Sequence, residues 1–155
     1  MWGNPDVVRF IGGQPATREA SWSRTLRYIG HWTAFGYGMW AVRDHENRFC
    51  GDVGICDFQR DIDPPIDTPE AGWVLAPWAQ GRGFATEALT AAIKWFEDAR
   101  GPRELACMID PPNTASIRVA EKHGFVVNRR SLYHGEEVIV FSRPSTPRRA
   151  SRATT

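Results

Sequence analysis

Apolar residues recur at helical spacing in two long stretches of the chain. The first predicts one face of a helix that begins after Thr17 and ends near Phe35. The second predicts the strongest helix, from Phe84 to about Arg100, which Gly101-Pro102 ends. The first face consists of Trp22, Leu26, Ile29 and Thr33, and the second of Phe84, Ala88, Ala91, Ala92, Trp95 and Ala99.

Shorter apolar runs between turn residues predict six strands. They are Met39–Arg43, Arg48–Phe58, Glu70–Ala76, Glu104–Asp110, Phe125–Arg129 and about Glu137–Ser142. Gly51 and Gly54 inside the second run indicate a bulge or a close approach of another backbone segment.

Two further helices are indicated by capping residues. Asn4-Pro5-Asp6 starts a short one, and Asn113 starts another that ends at His123 before Gly124. The element order is therefore α-α-β-β-β-α-β-α-β-β. Early hairpins and a later β-α-β crossover predict a mixed sheet in a single domain of the α/β or α+β class.

Charge is spread unevenly along the 155 residues. The net charge is only +1, yet the segment from Arg143 to Thr155 holds four arginines and no acidic residue. Residues 1–142 hold 15 basic and 18 acidic residues, so we expect a mildly acidic domain there and a flexible basic tail at 143–155. A mildly acidic body argues against nucleic acid as the main partner.

The three cysteines, Cys50, Cys56 and Cys107, have neither the number nor the spacing of a disulfide framework or a zinc site. No stretch approaches 18 apolar residues, and the start has no basic region followed by an apolar run. We therefore expect a reduced, cytoplasmic protein without a membrane span or a bound metal. The four histidines are expected at the surface.

A glycine-rich turn joins a predicted strand to the strongest helix. The first amides of a helix have no internal partner and carry partial positive charge, so a phosphate placed there meets several donors. Gly81 and Gly83 let the backbone approach an anion, and Arg82 can add a charged donor. The pattern is neither GxxxxGK[ST] nor GxGxxG. By itself it fits phosphate binding and a plain tight connection equally well.

Three segments together resemble the GNAT superfamily of N-acetyltransferases. Gln80-Gly81-Arg82-Gly83-Phe84-Ala85 matches its pyrophosphate motif, [Q/R]-x-x-G-x-[G/A], and Glu-Ala-Gly-Trp-Val-Leu-Ala before it resembles its fourth strand. Asn113-Thr-Ala-Ser116, followed by Glu121-Lys-His-Gly-Phe125, resembles the branch that acetylates ribosomal-protein N-termini. The resemblance spans roughly Pro5 to Phe141. It implies a single GNAT-like α/β (α+β) domain, with a mixed, mostly antiparallel twisted sheet and helices on both faces.

The resemblance implies acetyl-coenzyme A as co-substrate and assigns its contacts. The pyrophosphate would lie on the loop and first helical turn, made of Gln80, Gly81, Arg82, Gly83, Phe84, Ala85 and Thr86. The pantetheine arm would bind like an added strand to the main chain of Val74, Leu75 and Ala76. Asn113 and Ser116 would lie near the sulfur end.

The resemblance also implies direct attack of an amine on the thioester. A base must take a proton from the amine, and an amide N–H, here that of Val74, would stabilise the oxyanion. Glu70 is the expected base; the alternative is an exposed strand carboxylate with no such role. Many relatives use a tyrosine as acid where this chain has Ala120, so Ser116 is expected to replace it. The alternative for Ser116 is a hydroxyl that satisfies the first turn of its own helix.

Two features stay open at this point. The expected acceptor is a primary amine, either a protein N-terminus or a small molecule. The walls of its binding site are expected to carry Trp22, Trp32, Trp78 and Tyr133. The alternative to an acetyltransferase is a CoA-binding module without catalysis. Family members usually carry a strand before the first helix, whereas this sequence begins close to that helix, so either its start is truncated or the edge of the sheet is completed otherwise. An uncovered sheet edge invites pairing, so a homodimer or a partner strand is expected.

Overall fold

The computed structural model describes residues 1–145, which form four helices and six strands. The helices are α1 (Pro5–Val8), α2 (Arg18–Phe35), α3 (Phe84–Arg100) and α4 (Thr114–Lys122). The strands are β1 (Met39–Arg43), β2 (Phe49–Cys56), β3 (Glu70–Leu75), β4 (Leu105–Ile109), β5 (Val126–Tyr133) and β6 (Glu136–Arg143). The predicted order of elements is confirmed, with one addition, a single 3-10 turn at Pro77–Ala79.

The strands form one open sheet in the order β1-β2-β3-β4-β6-β5. Every neighbouring pair is antiparallel except β3 and β4, which are parallel because the α3 crossover joins them. The predicted fold class, a single α/β domain with a mostly antiparallel mixed sheet, is confirmed. Gly54 shows the predicted close approach, since a Cβ there would lie 2.2 Å from the Gly38 carbonyl oxygen.

One face of the sheet carries the main core. Helices α3 and α4 pack on it through a cluster that includes Leu89, Phe96 and Ala120. Because side chains alternate along a strand, Ala71 and Leu75 of β3 point into this core while Glu70, Gly72 and Val74 point to the other face. That second face is covered in part by the loop at residues 57–69, whose Ile62 and Ile66 join a smaller apolar cluster. Helix α2 lies on the same side, where His31 contacts the start of that loop.

Helix α2 turns a polar and aromatic face inward. Arg24 and Tyr28 are partly buried and His31 is buried, whereas Trp22 is 62 % exposed. Leu26 and Ile29 are exposed with Trp22, so the apolar face that the sequence predicts faces solvent. The inward side of α2 therefore places charge and hydrogen-bonding groups over the sheet.

Two histidines differ from the predicted surface position. His31 is buried, with Nδ1 2.9 Å from the Arg27 carbonyl oxygen and Nε2 2.8 Å from that of Asp57. His123 is half-buried, and its Nε2 lies 3.1 Å from the Thr86 carbonyl oxygen in the first turn of α3. Both rings connect elements that are distant in sequence, and spacing along one helix does not reveal such partners.

Arg143, the first residue of the predicted tail, is held by side-chain contacts with the folded domain. Arg143 is the last residue of β6, where its Nη1 donates to Glu97 Oε1 of α3 at 2.6 Å and its Nε to the His123 carbonyl oxygen at 3.0 Å. An arginine with two such acceptors belongs to the folded domain. The last ten residues of the predicted tail, from 146 to 155, lie outside the described residues.

Candidate functional site

The connection between β3 and α3 has the backbone geometry that an anion site needs. Gly81 and Gly83 adopt φ values of 72° and 87°, which L-residues rarely adopt. A Cβ at either position would meet no atom within 4 Å, so the backbone angle, and not crowding, is what requires glycine. Gly83 is the N-cap of α3 and supplies no capping side chain. The start of α3 therefore stays open.

Three helical amides are left free at this start. The first helical bond runs from the Glu87 N–H to the Gly83 carbonyl oxygen at 3.0 Å. The N–H groups of Phe84, Ala85 and Thr86 lie before it and have no acceptor within the helix. Their dipoles add partial positive charge at the same point. This geometry can hold a phosphate or pyrophosphate.

Arg82 lies on an aromatic platform beside these amides. Its guanidinium carbon is 5.5 Å from the Trp78 ring centroid and 5.2 Å from that of Phe84. Stacking on aromatic faces restricts the side chain without neutralising it. Trp78, predicted as a wall for the acceptor, lies next to the anion loop instead.

Gln80 braces the loop. Its side-chain Nε2 donates to the Leu75 carbonyl oxygen at 3.1 Å, and its backbone N–H donates to the Pro77 carbonyl oxygen at 3.3 Å. The family motif places a glutamine at this position, and here its amide ties the loop to the end of β3. A phosphate contact from Gln80 would need that bond to open.

Strands β3 and β4 separate after a single paired position. Glu70 is opposite Ala106, whose N–H donates to the Pro69 carbonyl oxygen at 3.0 Å, and no further β3–β4 pair follows among the described residues. The β3 main chain from residue 72 to 75 is therefore open on the side of β4. This is the gap expected for an extended, strand-like ligand.

Strand alternation decides which amides face this gap. The Ala76 N–H donates to the Cys50 carbonyl oxygen at 2.8 Å and so points toward β2. Because main-chain groups alternate in direction along a strand, the N–H of Val74, two residues earlier, also points toward β2. The main-chain groups of Trp73 and Leu75 point toward β4. The predicted oxyanion donor therefore needs correction: the Val74 N–H is directed at β2, and the amides that face the gap belong to Trp73 and Leu75.

Asn113 and Ser116 meet at the start of α4. Asn113 is the N-cap, and its Oδ1 accepts the Ser116 N–H at 3.1 Å. The asparagine side chain therefore satisfies the first turn, which was the alternative role considered for the Ser116 hydroxyl. Ser116 is half-buried. The predicted role of Ser116 as an acid stays a prediction.

Glu70 is buried where β3 and β4 part. It is 3 % exposed, and its Oε2 accepts from Arg60 Nε at 2.7 Å. Arg60 Nη1 lies 3.5 Å from the Tyr133 hydroxyl, so Tyr133 belongs to this cluster. Burial raises the pKa of Glu70, and the positive charge of Arg60 opposes that rise. The alternative of an exposed strand carboxylate is thus wrong, while the role of Glu70 as base stays a prediction.

Asp52 is a second carboxylate on the same face of the sheet, and sequence reasoning missed it. It lies on β2 directly opposite Val74, and its Oδ2 accepts from Trp2 Nε1 at 3.2 Å. Arg24 stacks over the Trp2 ring at 3.7 Å. Burial raises the pKa of Asp52. A lone acidic residue inside an otherwise apolar strand was the signal that could have found it.

The three cysteines lie inside the core. Cys50, Cys56 and Cys107 are at most 1 % exposed and are all free thiols. Burial raises the pKa of all three, that of Cys56 to about 12. A thiolate nucleophile is therefore disfavoured at each position.

The other aromatic walls predicted for the acceptor lie apart. Trp32 packs in a cluster with Trp40 and Trp95, at centroid distances of 4.8 and 5.5 Å, and Trp22 faces solvent.

Within residues 1–145, no three His, Cys, Asp or Glu side chains are arranged to hold a metal ion. In the same part of the chain, no helix has the length and apolarity to cross a membrane.

Known proteins resemble this chain in sequence and in fold. The YkkB protein of Bacillus subtilis (strain 168), itself uncharacterised, is 29% identical over 150 residues, which are 94% of this chain and 83% of YkkB. A Bordetella pertussis protein assigned to the GnaT acetyltransferase family is 28% identical, with a TM-score of 0.79 over 86% of this chain and 81% of that one.

Two more distant structures, each 16% identical, share the fold. Spermidine N-acetyltransferase from Vibrio cholerae, solved with CoA and spermine, has a TM-score of 0.70 over 92% of this chain and 84% of that one. Ribosomal-protein-alanine N-acetyltransferase from Brucella melitensis has a TM-score of 0.63 over 79% and 77%.

A family model matches the part of the chain that contains the open start of α3 and the separated strands β3 and β4. The model described as the acetyltransferase (GNAT) domain matches residues 1–126, a range that contains β3, the glycine loop, α3 and α4. This chain belongs to the GNAT family of acetyltransferases.

Proposed function

We propose that this protein transfers the acetyl group of acetyl-CoA to a primary amine by direct attack. The observation that carries the proposal is the combination of three free amides at the start of α3 with an open β3 edge beside them. The first binds a diphosphate, and the second pairs with an amide-containing arm. CoA carries both groups in one molecule.

The cofactor contacts follow from these two features. The loop and first turn (Gln80, Gly81, Arg82, Gly83, Phe84, Ala85, Thr86) would hold the pyrophosphate, with the free amides and the Arg82 guanidinium as donors. The segment Val74, Leu75 and Ala76 would border the pantetheine arm, and the Leu75 N–H and the main chain of Trp73 would pair with it, since the Leu75 carbonyl oxygen already accepts from Gln80. Asn113 and Ser116 would lie toward the sulfur.

The chain's own groups account for the steps of transfer. The bound thioester supplies an electrophilic carbonyl carbon and a thiolate leaving group. The Trp73 or Leu75 N–H would donate to the oxyanion that forms during attack. Ser116 would donate to the departing sulfur, and a carboxylate on the second face, Glu70 in the sequence-based prediction, would take the amine proton. The buried cysteines favour direct attack over an acyl-enzyme.

The acceptor is proposed at the level of a primary amine. The Vibrio structure concerns a polyamine and the Brucella protein a protein N-terminus, and this chain shares only the fold with each. The closer resemblance of residues 113–125 to the ribosomal-protein branch supports a protein N-terminus. A small amine remains the second acceptor class, and a CoA-binding module without catalysis is the alternative function.

A homodimer through the free edge of the sheet is part of the proposal. Strand β1 is an outer strand, and beside it Trp40, Val42, Val53, Ala88, Ala91, Ala92 and Trp95 line an apolar groove of about 380 Å³. A second copy pairing along β1 would cover both the edge and the groove. Sedimentation that gives a monomer at all concentrations would contradict this.

A panel experiment tests the transfer. Purified protein is incubated with acetyl-CoA and, separately, with spermine, spermidine and a short peptide that begins with alanine, and acetylated product is measured by mass spectrometry. We expect product from at least one amine. Calorimetry with CoA separates the alternatives: binding without any product supports the CoA-binding module, and absence of binding by folded protein contradicts both.

A further inference from the structure

The second face of the sheet has an opening at Gly72. Among residues 1–145, no heavy atom lies within 4 Å of a Cβ placed on Gly72. Its partner across β2, Gly54, is covered, because a Cβ there would lie 2.2 Å from the Gly38 carbonyl oxygen. The open space at Gly72 therefore lies on the face of β3 that also carries Glu70 and Val74. An acceptor can approach the thioester through this opening.

Asp52 borders this space. It is opposite Val74, the next residue on the same face of β3, and diagonal neighbours of a strand pair lie about 7–8 Å apart. Asp52 is only partly buried and has one hydrogen bond, from Trp2 Nε1 at 3.2 Å. Within residues 1–145 no cation lies within ion-pair distance of its carboxylate. It therefore has an oxygen available for an incoming ligand.

Resting on the proposed function, we infer that the acceptor is a cationic primary amine bound above Gly72, and that Asp52 receives its ammonium group and takes a proton from it, directly or through one water. The charged and titratable groups that face Asp52 are Arg24 and Tyr28 of α2 and the amino group of Met1. Burial raises the pKa of Asp52, while the hydrogen bond from Trp2 and then the charges of Arg24 and the amino group oppose that rise. A carboxylate with a raised pKa is a stronger base than an exposed one.

The step balances in atoms and charge. Asp52 takes one proton from the ammonium, and the freed nitrogen lone pair forms the N–C bond to the thioester carbonyl carbon. The tetrahedral intermediate collapses, the C–S bond breaks, and the thiolate leaves with the bonding pair. A second proton passes from nitrogen to sulfur, which yields an amide and a thiol. Asp52 then returns its proton to solvent.

Glu70 faces the same space but is differently placed. Its carboxylate already accepts from Arg60 and is almost fully buried. Binding an ammonium there would require the amine to compete with a guanidinium at 2.7 Å. Asp52 has no such competitor in contact, and it is the more accessible of the two.

The test compares Asp52→Asn with the wild type for each amine of the panel above. We expect product formation to fall at least about 100-fold, the usual contribution of a general base. Calorimetric affinity for acetyl-CoA should stay within twofold, which shows that the fold and the cofactor site are intact. The affinity for the panel amine that the wild type acetylates fastest, measured in the presence of CoA and therefore without turnover, should fall about tenfold. Asp57→Asn, a half-buried carboxylate just beyond β2, is the matched control and should change none of these.

Two readouts separate a base from a structural residue. In the wild type, kcat/KM should fall as the pH drops through the Asp52 pKa, and Asp52→Asn should lack this limb. Formate added to Asp52→Ala should restore part of the rate, since it replaces the missing carboxylate. Full activity in Asp52→Asn, or loss of the acid limb in Glu70→Gln instead, would overturn the inference and leave the transfer itself standing.

Gly72→Val tests the opening independently. The added side chain begins in free space at an ordinary backbone angle, so folding and CoA affinity should be retained. Product formation should fall at least tenfold, mainly through the KM of the amine, because the valine occupies the acceptor's position. Unchanged amine kinetics in this variant would show that the acceptor binds elsewhere. Wild-type protein that binds CoA but acetylates no amine would refute the proposed transfer, and the inference with it.

Discussion

Arg60 Nε donates to Glu70 Oε2 at 2.7 Å at the point where β3 and β4 separate. The pair lies under Phe58 and Tyr133, whose ring centroids are 4.6 and 5.4 Å from the Arg60 guanidinium carbon. It connects the loop at residues 57–69 to the first residue of β3. The pair therefore holds the closed end of the gap whichever carboxylate serves as base.

Glu70→Ala should destabilise the fold strongly. The Arg60 guanidinium would keep its partly buried position without a carboxylate partner, and breaking such a pair costs about 3 kcal/mol. Chemical denaturation measures the loss. Glu137→Ala, which removes one partner of the exposed pair with Arg130, is the matched control and should cost under about 1 kcal/mol. Equal losses in the two variants would contradict a structural role for the buried pair.

Asp52→Asn should be at least as stable as the wild type at neutral pH. The folded-state pKa of Asp52 is raised, so the fold favours the protonated carboxyl, and stability is lost as pH rises through that pKa. At pH 7 the ionised Asp52 therefore costs stability, and an asparagine removes this cost while its oxygen can still accept from Trp2. Melting temperatures of the two proteins at pH 4 and pH 7 measure the difference, which should be larger at pH 7. A lower melting temperature for the variant at pH 7 would speak for a structural role.

Gly83→Val should abolish CoA binding, and Gly101→Val should not. Both glycines flank α3 with φ near 80°, and neither has an atom within 4 Å of an added Cβ, so each substitution should cost about 1–3 kcal/mol of stability. Only Gly83 precedes the free amides. Calorimetry with CoA measures the contrast at a temperature where both variants are folded. Retained affinity in Gly83→Val would contradict the pyrophosphate assignment.

Arg143→Ala should lower stability by about 2 kcal/mol, because Arg143 donates to a carboxylate and to a carbonyl that are partly buried. Arg130→Ala, which alters the exposed pair on β5, provides the comparison. Thermal unfolding of the two variants measures the difference. A loss no greater than that of Arg130→Ala would show that Arg143 contributes little to the domain.

The sequence predicted those features that depend on neighbours along the chain. The open start of α3 follows from Gly81 and Gly83 alone, and the order of elements follows from periodicity and caps. The orientation of α2 did not follow, because Trp22, Leu26 and Ile29 form a regular apolar face that nevertheless points to solvent. Tertiary contacts, here those of Arg24 and His31, decided which side faces the sheet.

In the candidate site, too, some features depend on neighbours along the chain and others on tertiary contacts. Glu70 was identified from its place at the start of a strand, but its burial depends on Arg60, ten residues earlier in a loop without regular spacing. Asp52 was missed because its importance depends on strand register, which places it opposite Val74. The direction of the amides, toward β2 for Val74 and toward the gap for Trp73, likewise depends on register.

The depth of the three cysteines has a practical consequence for enzymology. A disulfide dye added to the native protein would find no accessible sulfur on Cys50, Cys56 or Cys107, each at most 1 % exposed. Any colour that develops during turnover would then come only from the thiol of the CoA that the reaction releases. Continuous spectrophotometry therefore needs no cysteine-free variant of this protein, and slow reaction with the dye in denaturant would report unfolding in the same cuvette.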